Sequence, residues 1–313
     1  MAKISKREVD CVPYAKGCES LFLDSGSFTL WTKAAQFAKA TGRDKWEFYD
    51  TDEFWKYVDA YAAFVHKYYA ACDLYANMDV IPNPDLTWRN QQYLEDRHAL
   101  TPVPVVHFRT DLKWLEKYID RGHEFIALGG LVGSISKPSC KDWLNRAFNV
   151  ICDQPSRLPR VKVHGFGVSS FSAMRKWPWW SVDSVRWTKQ GGFGRIIVPK
   201  KRGGKFDFTT RPMVLAVSSD PKWKTAAGVQ HLDRMNKGER QMVLDWLEYL
   251  NIPLGKCDPD GDVIEPGVTN LDLDRRVCNL QYYEHFRKTI PPWPWPFRYR
   301  KRPSFGYTAG GKR

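Results

Sequence analysis

Phe125-Ile126-Ala127-Leu128-Gly129-Gly130-Leu131 and Val161-Lys162-Val163-His164-Gly165-Phe166-Gly167 share one design: a short apolar run that stops at glycine or polar residues. Such a run reads as a buried strand delivering its last residues to a surface. Working outward, the design recurs in Leu21-Phe22-Leu23 before Asp24, Leu74 to Met78 before Asp79, Val103 to Val106 before His107, and Trp179 to Val182 before Asp183. Helical patterns lie between these runs. From Asp52 to Ala71 the residues Phe54, Tyr57, Val58, Tyr61, Phe64, Val65 and Tyr68 recur three and four apart, and Lys113 to Ile119 and Trp143 to Val150 read similarly.

Strands alternating with helices, each strand ending in a polar or glycine-rich tip, predict a TIM (β/α)8-like barrel with its site at the carboxyl ends of the strands. A doubly wound open sheet is the rival fold. Six units are visible against the eight of a complete barrel, so the expected barrel is incomplete or modified towards its N-terminus. Val9 to Tyr14, Ile196 to Val198 and Val214 to Val217 are the segments that could supply further strands. After Asp183 the pattern changes to a β-rich insertion, with glycines 191, 192 and 194 and a basic tract over 201–205, followed by a helix from Lys237 to Leu250. The expected organisation is a barrel core over 1–190, a β-rich and helical extension over 191–290, and an extended Pro-, Trp- and Arg-rich tail over 291–313.

The chain of 313 residues is 43% hydrophobic and 14% aromatic, enough to bury a core, and no run approaches the roughly 20 apolar residues that span a bilayer. Met1 to Lys6 lack the apolar centre of a secretory signal, which predicts a cytoplasmic protein. Its seven cysteines then read as thiols, none of them in C-x-x-C spacing. Cys257, Cys278 and His285 are too scattered for a zinc site, and Asp258 to Asp262 read as a turn rather than a calcium loop. No metal or cofactor is expected. A net charge of +13, dense in Lys200-Lys201-Arg202 and in Arg298 to Arg302, points to a polyanionic partner.

Two carboxylates stand at strand tips, Asp24 in Leu23-Asp24-Ser25-Gly26 and Asp183 in Ser181-Val182-Asp183-Ser184. A pair of carboxylates facing one cleft can supply a nucleophile and an acid/base group, as in retaining glycosidases. Each aspartate taken alone also suits a helix cap or a turn. The order of motifs carries more than any one of them. Leu21 to Phe28, Asp79-Val80-Ile81-Pro82, Pro104-Val105-Val106-His107, Ala127 to Gly133, His164 to Gly167 and Pro178 to Ser184 follow one another along residues 20–188.

That series resembles the tRNA-guanine transglycosylase superfamily, and within it the phage and bacterial 7-deazaguanine DNA transglycosylases called DpdA. The resemblance implies replacement of guanine in DNA by a 7-deazaguanine such as 7-cyano-7-deazaguanine, a modification that guards DNA against restriction. It implies Asp183 as nucleophile on the sugar C1′ and Asp24 as the acid/base residue. Asp79 would accept from the purine edge, Phe28 would stack on the base, and Gly129, Gly130 and Leu131 would offer backbone amides to its carbonyl. His107 and His164, with Gly165, would complete the base pocket, although the tRNA enzymes carry glutamine and methionine where these histidines stand. The zinc subdomain of the tRNA enzymes has no counterpart here, so DNA is the expected substrate and tRNA the alternative. A hydrolytic N-glycosylase, a nucleoside deoxyribosyltransferase and a noncatalytic nucleic-acid-binding barrel are the remaining readings.

Overall fold

The computed structural model describes residues 20–224 and 228–298. The proposed strand at Val9 to Tyr14 and the basic tail from residue 299 onward lie outside the described residues.

Six short parallel strands follow one another in chain order: β1 (Phe22–Leu23), β2 (Leu74–Tyr75), β3 (Val105–His107), β4 (Phe125–Gly129), β5 (Lys162–Gly165) and β6 (Ser181–Val182). β1 pairs with β2, a single parallel bridge from Ala76 to Val103 continues the array, and β3, β4, β5 and β6 form one sheet. Helices separate them. α1 (Ser27–Thr41) and α2 (Asp52–Tyr68) follow β1, and α3 (Pro84–His98), α4 (Lys113–Asp120), α5 (Pro138–Ile151), α6 (Phe171–Lys176) and α7 (Arg186–Gly192) follow the other five strands in turn.

Local chemistry fixes the helix starts. The Thr51 side chain accepts from the amide of Phe54 to open α2, and Asn83 accepts from Leu86 to open α3 with Pro84 at its first position. The apolar stripe of α2, including Phe54, Val58, Ala62 and Val65, is buried with Leu30, Tyr75, Met78 and Leu94. A larger cluster joins the outer faces of β3 to β5 to α4 and α5 through Val106, Ile126, Leu128, Val163, Leu115 and Leu144.

The array is curved. In a flat sheet β1 and β4 would stand about 14 Å apart and β1 and β5 about 19 Å, at roughly 4.8 Å per strand. Yet the Phe22 ring lies 6.2 Å from Phe125 and 4.8 Å from His164. Val103, Val105 and Ala127 fill the enclosed side together with Phe22, Leu74, Phe125 and Phe166. Among the described residues no strand pairing joins β6 back to β1; the structure is a mixed α/β fold with a curved parallel array.

The segments expected to extend that array do something else. β7 (Arg195–Val198) and β10 (Met213–Ala216) pair antiparallel with each other. Between them β8 (Lys200–Arg202) and β9 (Lys205–Asp207) make a two-stranded ribbon. Asn279 on the last helix, Asp272–Arg287, explains part of this: its side chain donates to the Arg195 carbonyl and accepts from the Ile197 amide, occupying β7 backbone groups. The helix expected over Lys237 to Leu250 spans Lys237–Tyr249.

The first part of the expected free tail belongs to the core. Phe297 is 1% exposed, its ring 5.8 Å from Phe148, and its amide donates to the Arg157 carbonyl. Trp293 donates its indole N–H to the Pro178 carbonyl. Among the described residues no helix is long and apolar enough to cross a membrane.

Candidate active site

Because the strands are parallel, their carboxyl ends share one edge of the array, and the expected site residues gather there. Asp24 follows β1 directly. Gly26 holds φ 76° and caps α1, and a Cβ there would lie 2.5 Å from the Tyr57 hydroxyl, which donates to the Ser25 carbonyl. Glycine is therefore required at this turn. Asp24 is exposed at the carboxyl edge of the array. Burial is the main reason that its carboxyl is held above the usual carboxylate range; the charges of Asp79 and Asp183 push the same way, against hydrogen bonds from the amides of Gly26 and Ser25. Three carboxylates thus share one electrostatic neighbourhood.

Asp79, beyond β2, is 6% exposed. Its Oδ2 lies 2.7 Å from Nε2 of His107, the last residue of β3, which is 2% exposed. The close fit comes from Gly129 on β4, where a Cβ would stand 2.9 Å from the His107 ring. The resemblance puts His107 against the base, but its Nε2 is committed to Asp79. It holds the Asp79 carboxylate. Among the described residues no hydrogen bond reaches Oδ1 of Asp79, which remains an acceptor for a ligand.

Asp183 stands two chain positions beyond Ser181 of β6. Its Oδ1 accepts from the Gly167 amide at 2.5 Å and lies 3.6 Å from Nε2 of His164. Nδ1 of the same imidazole is 2.8 Å from the Ser181 hydroxyl, and the ring is wedged between Phe22 and Phe166. Burial alone would raise the Asp183 pKa, but the neighbouring His164 imidazole and the hydrogen bond from the Gly167 amide outweigh it and hold the carboxyl below its usual range. The resemblance puts His164 against the base as well; it faces the nucleophile candidate instead. Ser181, opposite His164 in the β5–β6 register, is the residue that sequence reasoning passed over, although it lies inside a quoted motif.

Comparison of the chain with known protein families, with characterised proteins and with solved structures gives no match in any of the three. Function must therefore be argued from the geometry.

The other expected residues divide into two groups. Gly129 ends β4 and Gly130 and Leu131 follow it; among the described residues the amides of Gly130 and Leu131 donate to no backbone carbonyl, and Leu131 is buried in the core. Gly130 has φ 69°, which turns the chain there. Phe28 lies on the first turn of α1, 70% exposed, with its ring stacked on Trp31 at 5.8 Å. Gly165 is buried and structural: a Cβ there would stand 2.7 Å from Val168 and 3.0 Å from Trp179. Cys278 is buried in the core, and the His285 ring stacks on Phe208. Among the described residues no three His, Cys, Asp or Glu side chains are grouped to hold a metal.

Proposed function

We propose that the protein is a base-exchanging transglycosylase that replaces guanine in DNA with a 7-deazaguanine through a covalent Asp183 intermediate. One observation carries the reading: two carboxylates at the tips of β1 and β6 whose surroundings push their protonation in opposite directions, Asp24 upwards and Asp183 downwards. Opposed shifts of this kind divide an acid from a nucleophile.

In the first half-reaction ionised Asp183 attacks C1′ as the bond from C1′ to N9 breaks, and protonated Asp24 gives its proton to the departing purine. A glycosyl ester remains. In the second, ionised Asp24 removes the N9 proton of the incoming 7-deazaguanine, N9 attacks C1′, and the ester bond returns its electrons to Asp183. Two inversions leave the sugar configuration unchanged.

Oδ1 of Asp79, with Oδ2 held by His107, accepts from the N1–H and exocyclic amine that guanine presents and adenine lacks. The Gly130 amide suits the purine carbonyl, and the stacked rings of Phe28 and Trp31 offer a platform for a base taken out of its helix. The test is to incubate the protein with DNA or tRNA and 7-cyano-7-deazaguanine, digest the product and identify nucleosides by mass spectrometry. Modified deoxyguanosine supports the proposal; modified tRNA alone transfers the reading to the tRNA branch, and free abasic sites alone point to a hydrolase.

A further inference from the structure

We infer that the β8–β9 ribbon is a duplex-binding element that enters a groove of the DNA and grips its phosphates. The inference rests on DNA as the substrate and adds where its double-stranded part is held.

The ribbon has two faces. Its register sets Lys200 opposite Asp207, Lys201 opposite Phe206 and Arg202 opposite Lys205, with alternate pairs on alternate faces. The inner face is anchored. Phe206 packs 5.2 Å from the Trp246 ring and 5.4 Å from Tyr249, and Lys201 pairs with Asp245. Just beyond the ribbon, the Arg175 guanidinium donates to the carbonyls of Phe208 and Thr209, which fixes its base.

The outer face is cationic. Lys200, Arg202 and Lys205 are exposed, and among the described residues none of the three has a carboxylate within ion-pair distance. Asp207, on the same face, turns its Oδ1 to the amide and hydroxyl of Thr209. Like charges directly opposite one another destabilise a strand pair, so the Arg202 and Lys205 pair opposes the ribbon that carries it, and the nearby Asp207 carboxylate attracts Arg202. An anion between them removes that penalty.

The tip suits close approach. Gly203 and Gly204 hold φ 56° and 77°, and a Cβ on either would meet nothing within 4 Å. Two strands about 4.8 Å apart, with their side chains, fit the roughly 12 Å major groove of B-form DNA, which admits a two-stranded ribbon. The deep, narrow major groove of an RNA duplex does not.

The test measures binding rather than exchange, so that it stands apart from the transglycosylase reading. Affinity for a 20-base-pair DNA duplex is followed across a salt series for the parent, for Arg202→Ala/Lys205→Ala, and for a control with Lys39→Ala/Lys56→Ala on α1 and α2, with circular dichroism checking each fold. The ribbon variant should lower the slope of log affinity against log salt by about two, close to one for each phosphate that is no longer neutralised, while the control keeps the parental slope. Equal reduction in both variants, an unchanged slope in the ribbon variant, or preference of the parent for single strands or RNA duplex over DNA duplex overturns the inference. Exchange on a single-stranded oligonucleotide should survive the ribbon substitutions, which separates failure of the ribbon from failure of the chemistry.

Discussion

Nε2 of His164 lies 3.6 Å from Oδ1 of Asp183, while Nδ1 of the same ring meets the Ser181 hydroxyl at 2.8 Å. When Ser181 donates to Nδ1, the ring proton stands on Nε2 and faces the carboxylate. His164→Phe removes that donor with little change of shape. Because His164 helps to hold the Asp183 pKa down, its removal should move the acid limb of the pH profile to higher pH. Restoration of the limb by His164→Gln would mark the polar contact as the cause; an unmoved limb in His164→Phe contradicts it.

Burial and two neighbouring carboxylates hold Asp24 partly protonated to higher pH than an ordinary aspartate. Base departure needs the protonated form and entry of the new base needs the ionised form. Raising the pH through the Asp24 pKa should therefore slow adduct formation and speed adduct resolution. Single-turnover rates for the two half-reactions, measured separately across pH, check this. Parallel profiles would remove Asp24 from the proton path.

His107 and Asp79 form a buried pair at 2.7 Å. Removing one partner of a buried pair leaves the other unpaired and costs about 3–5 kcal/mol. His107→Ala should lower the urea midpoint accordingly, and His107→Gln, which keeps a donor, should recover much of it. Asp79→Ala should weaken selection of guanine-like bases by roughly 2–3 kcal/mol while leaving affinity for the DNA backbone nearly unchanged, as competition between bases in the exchange assay would read.

The position of these residues was legible because a parallel strand tip is written locally: an apolar run followed at once by Asp24, His107 or Gly129-Gly130. Pairings between tips were not. That His107 holds Asp79, and that Ser181 and His164 meet, depends on the register between neighbouring strands. The fate of Ile196 to Val198 was hidden for the same reason, since Asn279 takes its backbone groups from 82 positions away. The tail misled by composition: Pro and Trp read as an open arm, whereas Phe297 finds a core site beside Phe148.

That site makes truncation informative. Phe297→Ala should destabilise the protein by about 3–5 kcal/mol, the usual cost of emptying a buried aromatic position, as urea denaturation would read. A small effect of Phe297→Ala would return the segment to the surface.

The central claim is the covalent step at Asp183. The most direct measurement mixes the protein with guanine-containing DNA in the absence of any incoming base, denatures the mixture and weighs the protein by intact mass spectrometry. A nucleophilic Asp183 predicts a species heavier by the DNA strand less guanine, with the adduct mapping to the peptide that carries Asp183. Asp183→Asn should bind the same DNA and form none of it. Adduct formation by Asp183→Asn at the parental rate, or exchange by the parent with no adduct at any time, would contradict the assignment.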